Sequence, residues 1–181
     1  MKAEVSDVNP LVNLPLLDVN GQFFSESKAI LRYVGRIGKS LAGKNDIDII
    51  KSDQTIDFTE DFYTAFGPSF SLPTIEEKIA ARQVLLAPEG QLTNLLVKAE
   101  KYIKSFGSNK YVCGDYITVG DLALWSVLCL LCSSFLDGIP TNIYDNYPVI
   151  ESYRKFVSSH PKIVEHYKDE TSGLRFIGYK V

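Results

Sequence analysis

Residues 119–136, VGDLALWSVLCLLCSSFL, constrain this chain more than any other stretch, because a helix over them is apolar on most faces. Such a helix has no side to give to water. Other helices must surround it, so the fold has to be a multi-helix packing with this helix at its centre. The apolar run from 122 to 136 is interrupted by serines and falls short of the about 20 residues that a membrane span requires. It reads as a buried helix. Thr118 before it and Asp121 at its third position form a capping box in which Asp replaces the usual Glu or Gln, and Ile117 and Leu122 can staple across it. That motif is a folding device rather than a substrate contact. With 181 residues, 45% of them hydrophobic, the chain has ample material for one compact unit or two small ones.

From residue 39 onward nearly every segment shows helical spacing punctuated by caps or prolines. The spacing predicts helices over 46–66, 74–86, 89–106, 119–136, 148–159 and 161–168, with Pro148 and Pro161 in first turns. The first 38 residues differ. Leu16 to Val19 suits a strand, Asn20-Gly21 is a strong type I′ turn signal, and Gln22 to Phe24 returns antiparallel. Ser25 to Ser27 offers N-cap chemistry for KAILRYVGRIG, in which Ala29, Leu31, Tyr33 and Val34 can form a buried side and Gly35 or Gly38 can end the helix. The chain is therefore mainly α, with a β-hairpin plus helix over 1–38 and an all-helical part over 39–181. Two strands are marginal alone, so the hairpin needs further cover. The tail DETSGLRFIGYKV is too apolar for a solvated end and is expected to pack back.

Composition removes several functions. Nineteen basic and 22 acidic residues give a net charge of -3 without a Lys/Arg run, which disfavours nucleic acid and anionic membrane surfaces as partners. The start MKAEVSDVNP has no apolar signal region, and three cysteines do not make a disulfide framework, so a cytoplasmic, reducing location is expected. Cys129 and Cys132 form a C-x-x-C inside a leucine-rich helix, where a redox pair would need an exposed helix N-terminus. Packing is their expected role. Only two histidines exist to complete a metal site, and none is expected.

Four features can carry chemistry. Pro15 stands at the entry to the first strand, either as an ordinary edge start or as a cis bond that turns the main chain of Leu14 toward an extended peptide ligand. Glu26-Ser27 falls where the hairpin feeds the helix, so free N–H groups and the Ser27 hydroxyl can cradle a carboxylate or phosphate; ordinary capping by Ser25 or Ser27 is the alternative. In DFTEDFY, Asp57, Glu60 and Asp61 share a helix face at i, i+3 and i+4, either as a solvated stripe or facing a cation, an ammonium or a partner's arginine. Tyr63 and Phe66 continue that helix and can wall an apolar pocket, with core packing the competing role for Phe66.

Taken together and in this order, NLPLLDVNG…ESKAILRYV, YVCGDYITVGDLALW and YPVIESYRKFVSSHPKI resemble the cytosolic glutathione transferase family over residues 9 to 168. The acidic DFTEDFY is most similar to the sigma class, which includes prostaglandin D synthases. The resemblance implies a thioredoxin-like domain followed by an α-helical one, a homodimer, and conjugation of the glutathione thiolate to apolar electrophiles. It assigns glutathione contacts to Leu14, Pro15, Glu26 and Ser27, and implies that Asp61 reaches the partner's glutathione. Glutathione enters as substrate and no metal is required, although weak divalent contact at Asp57, Glu60 and Asp61 is compatible with the class.

One departure is large: the family's domain begins with a strand, helix and strand that precede VNPLVNLP, and the segment carrying the thiol-activating Tyr, Ser or Cys is expected to be missing. Neither Tyr33 nor Tyr63 matches that motif, so the catalytic residue is unknown. The thioredoxin-like part is thus expected to be truncated. The alternative function is a non-catalytic transferase-like scaffold, and a plain redox protein is the poorest third reading.

Overall fold

The computed structural model describes residues 10–11, 14–38, 41–107 and 110–169. The Asn20-Gly21 turn forms as its chemistry dictates, with φ of 54° and 82° in the left-handed region that type I′ requires. It pairs β1 (Leu17–Val19) antiparallel with β2 (Gln22–Phe24), Leu17 opposite Phe24 and Val19 opposite Gln22. The Gly21 N–H donates to Asp18 Oδ1 at 2.8 Å, which closes the turn from the strand side. The hairpin then feeds α1 (Ser27–Ile37).

Gly38 follows the end of α1, whereas Gly35 stays inside the helix as its buried residue. Of the expected buried side, Leu31 is half-buried while Ala29, Tyr33 and Val34 are exposed. The reason is that α1 meets its neighbours through Lys28, Arg32 and Gly35, and that contact is largely ionic.

Six helices follow: α2 (Asp46–Phe66), α3 (Ile75–Leu86), α4 (Gln91–Lys104), α5 (Val119–Leu131), α6 (Pro148–Ser158) and α7 (Pro161–His166). Asn45 caps α2 by accepting from the Asp48 N–H at 3.0 Å, and a 3₁₀ turn over Gly67–Ser71 continues it. Thr74 and Glu77 cap α3 reciprocally, through N–H bonds of 3.0 and 3.2 Å. Two boundaries differ from the spacing for a local reason. Glu89 takes φ of 65° and Gly90 an extended ψ of 152°, so α4 starts at Gln91, and Ser134 at φ of 63° turns the chain soon after α5 ends at Leu131. The tail expected to pack back lies almost entirely outside the described residues.

α5 is the central helix. It packs against α2, α6 and α1, and Leu124, Val127, Leu128 and Cys129 are fully buried. Its start is fixed by Asp121, whose carboxylate accepts from the Val112 N–H, the Thr118 N–H and hydroxyl, and the Tyr153 hydroxyl at 2.8 to 2.9 Å. Burial raises the Asp121 pKa although these donors oppose the shift. Cys129 and Cys132 are core residues, and burial drives both thiols above their ordinary range.

Candidate functional site

The first turn of α1 opens onto a cleft of about 380 Å³ bounded by three helices. Ser27, Lys28 and Leu31 come from α1, Thr59, Glu60 and Tyr63 from α2, and the start of α5 supplies the floor. No side chain caps α1. The residue at its N-cap is Glu26, at φ of 71°, and the Ser25 hydroxyl is occupied by the Leu11 carbonyl at 2.6 Å. Neither serine therefore caps the helix. Ser27 is the first helical residue, exposed at the cleft, and its hydroxyl has no hydrogen-bond partner among the described residues. Free first-turn N–H groups, an open hydroxyl and the positive end of the helix make a place for an anion.

Tyr63 lies across the cleft and rests edge-on against Phe66, ring centroids 5.4 Å apart. Phe66 itself is only 1% exposed and packs in the core, so it backs Tyr63 and does not line the cleft. Leu14 and Pro15 precede β1, joined by a cis bond, and Leu14 is 82% exposed. Glu26 is exposed, and its carboxylate has no partner among the described residues.

The acidic face of α2 divides in two. Asp57 and Glu60 meet cations of this chain itself: Lys28 Nζ stands 3.2 Å from Glu60 and 3.9 Å from Asp57, while Arg32 binds Asp57 and, at 3.1 Å, Asp53. Burial weakens the Arg32 charge, yet its bonds to Asp57 and Asp53 outweigh that and hold its pKa raised. Asp61 has no ion-pair partner among the described residues and faces an outer groove of about 710 Å³ between α2 and α4, with Lys98 and Tyr102. Ser27 and Asp61 thus line separate cavities of one chain. Among the described residues, no three His, Cys, Asp or Glu side chains converge as a metal site, and no helix is long and apolar enough to cross a membrane.

Lys28 and Arg32 were not singled out from the sequence. Their signal was available: two cations at i and i+4 face acids at i, i+4 and i+7 on α2, but only the packing angle reveals that the two sets match.

Three likenesses to known proteins bear on this geometry. The chain is 27% identical over 154 residues to mouse hematopoietic prostaglandin D synthase, covering 85% of this chain and 71% of that protein. It is 29% identical over 163 residues to glutathione S-transferase 1 of Ascaris suum, covering 84% and 76%. The fold superposes on the structure of a prostaglandin synthase D of Nilaparvata lugens with a TM-score of 0.74 and 24% identity, over 94% of this chain and 81% of that one. The family model for the glutathione S-transferase C-terminal domain matches residues 60–170, more than half of the chain. Since that stretch takes in α5 and most of the helices around it, the chain belongs to the glutathione S-transferase C-terminal domain family.

Proposed function

We propose that this protein binds glutathione at the start of α1 and conjugates it to apolar electrophiles held in the cleft. The observation that carries the proposal is the uncapped first turn of α1, where Ser27 opens onto the same cleft as Tyr63. A γ-glutamyl carboxylate suits the free N–H groups and the Ser27 hydroxyl, and the Glu26 carboxylate suits the γ-glutamyl ammonium. Leu14, an exposed residue before Pro15, offers its main chain for pairing to the cysteinyl unit. Tyr63, backed by Phe66, supplies an apolar wall for the electrophile.

In the reaction the glutathione thiol gives its proton to solvent and the thiolate sulfur bonds to the electrophilic carbon, whose bond to its leaving group breaks with the electron pair going to that group, released as chloride from a chloronitrobenzene. This chain's share is to hold the tripeptide in place and bring the two reactants together. No residue of the chain is assigned to activate the thiol. The 1–38 unit grips glutathione, the 39–181 unit holds the electrophile, and in a homodimer the exposed Asp61 approaches the partner's glutathione. A cytoplasmic setting, where glutathione is abundant and thiols stay reduced, suits this chemistry and the free thiols of Cys113, Cys129 and Cys132.

Retention on glutathione resin, combined with conjugation to a chloronitrobenzene, tests the reading. Retention with turnover is the expected result. Retention without turnover leaves a binding module and removes the enzyme, and failure of both removes the glutathione reading altogether.

A further inference from the structure

α1 touches the helical body at two places. Near its C-terminal end Gly35 presses on Val119 of α5, while Lys28 in its first turn and Arg32 at its middle reach Asp53, Asp57 and Glu60 of α2. The first contact is a close steric fit without polar groups, which fixes a point but not an angle. The second is a ladder of ion pairs along matched helix faces, which fixes the angle.

We infer that Lys28 and Arg32 are positioning residues for the ligand cradle, and that Asp57 sets its affinity without touching the ligand. This rests on the glutathione reading above. Ser27 stands eight residues from Gly35, about 12 Å along the helix axis, so a tilt of about 10° at Gly35 carries the first turn about 2 Å. A hydrogen-bonded cradle does not survive such a displacement, since its bonds tolerate only a few tenths of an ångström. Tyr33, Val34 and Ile37 are exposed on α1, so these side chains do little to brace the helix.

Asp57 is well chosen for a test because it does not line the cleft. It lies on the outer groove, and it joins both cations. The ladder is partly open to solvent, so dissolved ions weaken it: screening lengths fall from about 10 Å at 0.1 M salt to about 3 Å at 1 M.

The experiment is calorimetric titration of the full chain with glutathione at 0.05 M and 0.5 M NaCl, for the wild type, Asp57→Asn, Asp57→Glu and Ser27→Ala. At low salt Asp57→Asn is expected to bind roughly two- to tenfold more weakly, with its urea unfolding midpoint essentially unchanged. Asp57→Glu retains most of the affinity, and high salt narrows the gap between wild type and Asp57→Asn. A merely structural role would not produce that salt-dependent convergence. Equal affinity of wild type and Asp57→Asn at low salt overturns the positioning role, while a weakened Ser27→Ala in the same series leaves the glutathione site standing. No binding by the wild type overturns both.

Discussion

Gly35 of α1 and Val119 of α5 meet with no room for a side chain between them: a Cβ on Gly35 would stand 2.8 Å from Val119 Cγ1 and 2.9 Å from Cγ2. Val119 is buried and β-branched at the start of α5, so it has little freedom to move aside. Gly35→Ala is therefore expected to destabilise the protein by about 1–3 kcal/mol, despite the better helix propensity of alanine. Urea unfolding measures this, and adding Val119→Ala should make the double variant less destabilised than the sum of the two. Additive losses would mean that the two residues do not confront each other.

Ser27→Ala isolates the cradle. Removing one hydrogen bond to a charged ligand group should weaken glutathione binding by about 1–3 kcal/mol and leave folding nearly untouched, because Ser27 is exposed. Calorimetric affinity decides it. An unchanged value would show that the first turn of α1 is only a helix end.

The acid limb of stability should depend on Glu151. Burial disfavours its charge, but Arg154, through bonds of 2.9 Å, and Lys155 outweigh that and hold the carboxyl below its ordinary value of 4.5. The unfolded chain then binds the proton more tightly than the folded one, so the contribution is present above about pH 4.5 and is lost as pH falls through the lower folded value. Glu151→Gln should flatten the decline of urea stability in that window. A variant curve parallel to the wild type would remove Glu151 from the account.

Thiol chemistry separates the proposed transferase function from a redox one. Burial, with Asp48 and Asp121 nearby, pushes Cys113 up to about 11, and its S–H donates to the Asp48 carbonyl at 3.2 Å. Cys129 and Cys132 are raised as well and lie in the core. At pH 7.5, iodoacetamide should modify Cys113 far more slowly than a free thiol, and reach the other two only on unfolding. Rapid modification of Cys129 or Cys132 in the folded protein would revive the redox reading.

The helical part was legible because its signals are local. Thr118 and Asp121 cap α5 and the Asn-Gly turn sets the hairpin register, each within four residues. The errors came where a backbone conformation or a neighbour decides. Nothing in Glu89 or Ser134 announces a left-handed φ, and Gly35 looked like a helix end because its neighbour Val119 is 84 residues away. The same distinction runs through the site. Glu26-Ser27 could be placed at the helix start from the residues alone, whereas the neutralisation of Asp57 and Glu60 by Lys28 and Arg32 depends on how two helices cross.

The Asp121 carboxylate collects the 110–118 loop, the start of α5 and, through Tyr153, the middle of α6 on one pair of oxygens. Those partners are drawn from across some forty residues, and the turn they complete also presents Val119 to α1 and the Gly120 N–H to Ser52. A substitution at Asp121 therefore reaches beyond the bundle: loosening the turn that carries Val119 also loosens the seat of α1.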